Sequence, residues 1–129
     1  MRRSYDASGR YGQTAAPVVD VALEWQGRKS SVQALIDTGA SVTAVPRDEY
    51  QKLGLQKIGD PEDVSGVADA KADRTVVNLT FEGRLFRNLP ILTTDGLPFV
   101  VIGRDVLNKY LLECDGPNLQ FDLTAPAAP

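Results

Sequence analysis

Histidine is absent from these 129 residues. That excludes Ser-His and Cys-His nucleophilic catalysis and makes a zinc enzyme site unfavourable. Acid/base work at moderate pH then falls to carboxylates in special surroundings, or to lysine or tyrosine. Cysteine is nearly absent too. Cys114 is single, so no intrachain disulfide can form. It is expected as a small packed residue near a helix end rather than as a reactive thiol. A cytoplasmic-type compartment fits that usage. Long apolar runs are lacking, with none near the ~20 residues of a membrane span. Met1-Arg2-Arg3 starts basic but has no apolar stretch behind it, so it does not read as a signal peptide. Basic excess is lacking as well: 14 Lys and Arg face 17 Asp and Glu, a net charge of −3. Nucleic-acid binding therefore has little electrostatic support.

What remains is ordinary for a globular protein, with 43% hydrophobic and 24% charged residues. The length suits one domain. Residues 1–16 mix Arg, Ser, Gly and Gln without periodicity and are expected to be a mobile arm. Residues 124–129 are expected to be a disordered tail. Between them, 17–123 form the domain, and its pattern is mostly β. Val19, Val21, Leu23 and Trp25 alternate with polar or small residues, and Val32, Ala34 and Ile36 alternate after Gln26-Gly27-Arg28. That is a hairpin. A short strand is expected over Val42–Val45, stopped by Pro46. One or two helical turns follow over Arg47–Leu53, ended by Gly54. Residues 64–74 read as a loop or mobile hairpin. A second hairpin turns at Glu82-Gly83-Arg84. Phe99-Val100-Val101-Ile102 reads as a strand buried on both faces, ended by Gly103. Val106, Leu107, Tyr110 and Leu111 fall at helical spacing, which predicts a helix over 104–112. Leu119, Phe121 and Leu123 alternate in a final strand.

The chemistry concentrates at Asp37-Thr38-Gly39. It follows the apolar run Ala34-Leu35-Ile36 and precedes Ala40-Ser41. A carboxylate at the end of a buried strand, turned by glycine, is placed for acid/base chemistry rather than for solubility. Asp-x-Gly is also a common Asx-type turn, so the tripeptide alone decides nothing. The chain has one such triad, so a mechanism needing two carboxylates takes the second from another copy. There is a faint internal echo: aligning Gly39 with Gly103 sets Val101 opposite Asp37.

With 34–41 followed roughly sixty residues later by Val101-Ile102-Gly103-Arg104-Asp105-Val106-Leu107, the chain resembles the retropepsin-type aspartic proteases over about residues 17–123. These are single-domain, dimeric relatives of pepsin. The resemblance implies an all-β, closed or partly open barrel of the acid-protease type with one short C-terminal helix. It implies a homodimeric endopeptidase in which the two Asp37 carboxylates activate a water, with no cofactor and no metal. The expected partners are a second copy and a peptide or protein substrate, with neither nucleic acid nor membrane insertion. Thr38 would bond across the dimer axis, Gly39 would allow the tight turn, and Ala40 follows the retroviral rather than the pepsin pattern. The pepsin-type hydroxyl is missing there, so the rate optimum is expected at mildly acidic pH.

Ile102, Gly103 and Arg104 would form the scaffold. Leu119 and Phe121, on the terminal strand, would serve the dimer. Gly66, Val67 and Ala68 would lie in the substrate-covering flap, although 65–73 carry one glycine and alternating charges where family flaps are glycine-rich. Ser41 stands where many retroviral relatives have an acid that pairs the arginine. Arg104 therefore needs another partner, with Asp105 or the second subunit as candidates. A non-catalytic dimerisation or peptide-binding module on the same fold is the alternative, and a unit cut from a larger precursor a weaker third.

Overall fold

In a computed structural model, residues 2–63 and 71–126 are described. The first hairpin joins β2 (Val18–Trp25) to β3 (Arg28–Ile36) in full antiparallel register, from Trp25 opposite Arg28 to Val18 opposite Leu35. Its two-residue turn holds Gln26 at φ 49° and Gly27 at φ 86°. Such a left-handed pair matches the twist of the flanking strands. The same solution recurs at Glu82 (φ 52°) and Gly83 (φ 75°), between β6 (Lys71–Phe81) and β7 (Arg84–Thr94).

Six strands close into a barrel in the order β2-β3-β8-β4-β7-β6, sealed by β2 against β6. Here β4 is Ala44–Pro46 and β8 is Val100–Ile102. A further strand, β5 (Ile58–Asp63), extends the sheet beyond β6. The expected helical turn is α1 (Arg47–Lys52), with Asp48 and Glu49 in its first turn and Lys52 in its last, as the helix dipole favours. The alternating residues Val19, Val21 and Leu23 point inward with Val77, Leu79, Phe81, Ile91 and Ile102, and this single core fills the barrel.

The C-terminal third departs from the expected pattern. The helix is four residues long, α2 (Arg104–Leu107), and β9 (Leu111–Asp115) follows it. Val106 and Leu107 are buried from the helix, while Tyr110 and Leu112 pack from the segment after it. Over seven residues, a short helix followed by an extended segment mimics one helical stripe. Cys114 is therefore an exposed residue of a strand, not a packed one at a helix end.

The final strand is β10 (Gln120–Thr124), paired along its whole length with β9 and, among the described residues, only at Gln120 and Phe121 on its other side. It lies between β9 and β1 (Arg3–Ser4) in a three-stranded sheet. Phe121 is fully buried in the chain's own core with Tyr5 against it. Leu119 stands outside the strand in the preceding turn, at φ 51°. The first residues, expected as a mobile arm, lie along this sheet. Arg3 pairs with Phe121, Ser4 with Gln120, and Asp6 bridges Ala16. Of the expected tail, Thr124 ends β10 and 127–129 fall outside the described residues.

Glu24 ties the first hairpin to its neighbour. Its carboxylate accepts bonds from the Asn78 amide at 2.7 Å and the Gly27 N–H at 3.2 Å. The bond from Asn78 first, then that from Gly27, holds the carboxyl below the usual glutamate range. A folded value below the unfolded one contributes stability that is complete above the unfolded value and is lost as pH falls through the folded one. Thermal melts should therefore be level down to about pH 5 and decline below about pH 4. Glu24→Gln should lower the plateau and make that decline shallower.

Candidate active site

The site follows from one topological fact. Strands β3 and β8 run parallel, with Leu35 opposite Val101 and Ile36 opposite Ile102. Strand β4 lies on the other side of β8 and runs antiparallel to it. The loop leaving β3 at Asp37 must therefore cross the C-terminal end of β8 before starting β4. Gly103 sits under that crossing. A Cβ there would meet the Val42 carbonyl carbon at 2.8 Å and the Ala40 and Val42 carbonyl oxygens at 2.9 Å. Only glycine leaves the loop this close. The internal echo is thus a pair of adjacent parallel strands, each ending in its site segment. Their register sets Val101 against Leu35.

Asp37 is half-buried just past the end of β3. Its N–H donates to the Ile102 carbonyl at 3.0 Å, extending the β3–β8 ladder. Its side-chain Oδ1 accepts the Gly39 N–H at 2.9 Å, and its carbonyl accepts the Ala40 N–H at 3.2 Å. The carboxylate is thereby fixed at the turn, while Thr38 and Gly39 are exposed beside it. A Cβ on Gly39 would stand 3.1 Å from Asp37 Oδ1, so glycine also keeps the approach to the carboxylate open.

Two consecutive residues of α2 hold the two shoulders of the loop. Arg104 donates from Nη1 to the Thr38 carbonyl at 2.7 Å, and from its backbone N–H to the Ala40 carbonyl at 2.9 Å. Its partner is thus the loop backbone itself rather than Asp105. The Asp105 carboxylate is taken on the other shoulder. It accepts the Thr43 N–H at 3.0 and 3.1 Å, the Thr43 hydroxyl at 2.8 Å and the Val106 N–H at 3.0 Å. The Thr43 hydroxyl oxygen in turn accepts the Gly103 N–H at 3.1 Å. Sequence reasoning does not find Thr43. The available signal is an acid just inside a short helix, ready to bond backbone N–H groups, but its partner lies 62 residues away.

Hydrogen bonds to charged groups are worth ~1.5–3 kcal/mol. Asp105→Ala should therefore cost about 2–3 kcal/mol of stability, read from denaturant melts. Asp105→Asn should recover less than half, because an amide has one acceptor oxygen where Thr43 uses both.

The expected flap residues Gly66, Val67 and Ala68 lie outside the described residues. The strands before and after that segment are described: Ile58 pairs with Arg74, Glu62 with Ala72 and Asp63 with Lys71. The base is tied to α1, where Arg47 donates to Asp73 at 2.8 Å and to Asp95 at 3.2 Å. No helix among the described residues is long and apolar enough to cross a membrane.

The Asp37 carboxylate thus sits on a glycine turn whose loop passes over a second glycine at the end of a parallel strand. The family model described as "gag-polyprotein putative aspartyl protease" matches residues 21–109, and the chain belongs to that retropepsin-like family. Three solved structures share the fold. A retropepsin-like aspartic protease from Rickettsia conorii is 18% identical, with 99% of this chain and 92% of that one covered and a TM-score of 0.69. The retroviral protease-like domain of Ddi1 from Leishmania major is 15% identical, with 88% and 94% covered and a TM-score of 0.60. The EIAV protease, complexed with an inhibitor, is 23% identical, with 72% and 86% covered and a TM-score of 0.57. No curated protein gives a significant match.

Proposed function

We propose that this chain is a homodimeric aspartic endopeptidase whose single Asp37 forms half of the catalytic site. The observation that carries the reading is the fixed, half-buried Asp37 carboxylate on its open glycine turn, above the packed end of β8. Two such carboxylates facing one another at a two-fold axis cannot both ionise cheaply, so the pair holds one proton. Sharing of this kind is the general property of aspartic-protease dyads. The ionised partner takes a proton from a water held between them, and that water attacks the peptide carbonyl. The protonated partner supports the oxygen as charge develops on it. The C–N bond then breaks as the leaving amine takes a proton from the dyad, so hydrolysis proceeds without a covalent intermediate. Thr38 and Gly39 frame the carboxylates, and residues 66–68 belong to the segment that would cover the substrate.

The test is digestion of a mixed peptide library by the full chain at mildly acidic pH, with pepstatin as inhibitor. Internal cleavage that pepstatin suppresses, with specific activity rising with protein concentration, is the expected result, because dilution splits the site. Activity strictly linear in protein, from a species that sediments as a monomer, would overturn the shared site.

A further inference from the structure

We infer that Tyr11 is a specificity-determining residue of the proposed site, the outer wall of an apolar stripe that seats a substrate side chain three or four residues from the bond to be cut. The inference rests on the endopeptidase reading and names what that site selects.

The loop that carries Tyr11 is built, although its sequence has no periodicity. Its two ends are joined: the Asp6 N–H donates to the Ala16 carbonyl at 2.7 Å and the Ala16 N–H to the Asp6 carbonyl at 3.0 Å. The Asp6 side chain accepts the Ser8 N–H at 2.9 Å and the Ser8 hydroxyl at 2.5 Å. At the tip the Gly12 N–H donates to the Gly9 carbonyl at 3.3 Å, so Arg10 and Tyr11 are the central residues of a tight turn. Compact loops with joined ends often carry function. The chain then returns to the site. The Pro17 carbonyl accepts the N–H of Ile36, the residue before Asp37, at 3.0 Å.

Two strands decide what Tyr11 stands beside. Side chains alternate across a sheet. Ala34, Ile36, Val100 and Ile102 belong to the barrel core. Leu35 and Val101, paired in the parallel register of β3 and β8, therefore share the opposite face. Forward along β3 that face reaches Asp37, whose N–H continues the ladder to the Ile102 carbonyl. Backward it reaches Gln33 on β3 and Phe99 just before β8. Tyr11 covers this far end. Its ring centroid is 4.7 Å from that of Phe99, with the planes tilted by 52°, and its hydroxyl reaches Gln33 Oε1 at 3.4 Å. The Arg10 guanidinium lies 5.5 Å from the Tyr11 ring centroid and helps to hold it. Both rings are half-buried, so each keeps surface for a ligand.

Distance sets which substrate position meets the wall. Four residues of strand separate Gln33 from Asp37, about 13 Å. An extended peptide advances about 3.3 Å per residue. With its scissile bond at Asp37, its third or fourth side chain from that bond lies beside Tyr11. Aromatic rings offer apolar area there, which favours an apolar side chain.

The experiment profiles the full chain on a mixed peptide library, with cut positions read by mass spectrometry. Binding of fluorescent forms of the same peptides is read by polarisation. The wild type should prefer Leu, Ile or Phe over Ser or Asn at the third or fourth position from the cut. Tyr11→Ala should reduce that preference at least fivefold through KM, with kcat unchanged, because the ring holds substrate and transition state alike. Tyr11→Phe keeps the ring and should keep the preference. Tyr11→Lys should bring in Asp or Glu at that position, a gain that a merely structural role does not produce. Gln13→Ala, exposed in the same loop, should change nothing.

A wild type without preference at that position, a Tyr11→Ala variant with the wild-type profile, or a loss confined to kcat each overturns the proposal. So does Tyr11→Lys without a new acidic preference. A chain that binds apolar peptides through Tyr11 but cuts none leaves the wall standing and removes the enzyme reading. A chain that neither cuts nor binds removes both. An enzyme whose profile ignores Tyr11→Ala and Tyr11→Lys removes the wall alone.

Discussion

Replacing Asp37 with Asn should reduce peptide cleavage by at least about 10²–10⁴-fold in kcat, the usual contribution of positioned acid/base groups. The loop should survive the change. Asp37 Oδ1 accepts one backbone bond, from the Gly39 N–H at 2.9 Å, and an amide oxygen can accept the same bond. The ladder bond from the residue 37 N–H to the Ile102 carbonyl involves no side chain. What disappears is the capacity to share and release a proton. In the proposed dyad the change also removes the repulsion of two facing carboxylates, so the Asn variant should associate at least as tightly as the parent. Kinetics on one cleaved peptide and sedimentation on the same samples separate the two effects. Equal kcat for both proteins would refute a catalytic Asp37. A collapse of both activity and folding would show that the carboxylate is structural.

Gly103→Ala should be the most damaging single-methyl change in the described fold. The added carbon would sit 2.8–2.9 Å from backbone atoms of Val42 and Ala40, and neither is the free end of a side chain. The loop must lift or β8 must sink. Overpacking of this kind costs ~1–3 kcal/mol. The activity loss should exceed the stability loss, because the displaced backbone carries Asp37 and a 1 Å misplacement can cost ~10²-fold. At a temperature where the variant is still folded, kcat should fall at least tenfold while circular dichroism stays unchanged. Unchanged kcat in a folded variant would mean that the crossing does not set the position of the carboxylate. Gly83→Ala is the useful contrast: φ there is 75° but no atom lies within 4 Å of the added Cβ. It should cost a little stability through backbone strain and no activity.

The hairpins were legible because their information is local. Alternation in Val19–Leu23 and in Val32–Ile36, with Gln26-Gly27 between them, needs no distant residue to be read. The short α1, the buried β8 and the Asp37 turn were legible for the same reason. The small sheet at the chain ends was not. Strand β9 has no alternation, and β1 is two residues long. Neither has a reason to be a strand until β10 is beside it. The helix read as nine residues is four, because apolar spacing over so short a span cannot separate a helix from a turn into a strand. Arg104 and Asp105 were visible as charged residues, but their partners, Thr38 and Thr43, lie 66 and 62 residues earlier.

By itself, then, the sequence determined the class of the molecule. It set one acidic triad at the end of an apolar strand, left no histidine to share the chemistry, and placed an apolar-Gly-Arg segment behind it. Tertiary structure alone decided how that triad is held and how the two ends of the chain pair. Parallel β3 and β8 force the Asp37 loop to cross a strand end where only glycine fits. The pairing of β1 with β10 sets Arg3 and Ser4 beside Phe121 and Gln120. Both depend on hydrogen-bond partners far apart in the chain, and such pairings leave no periodicity in either segment.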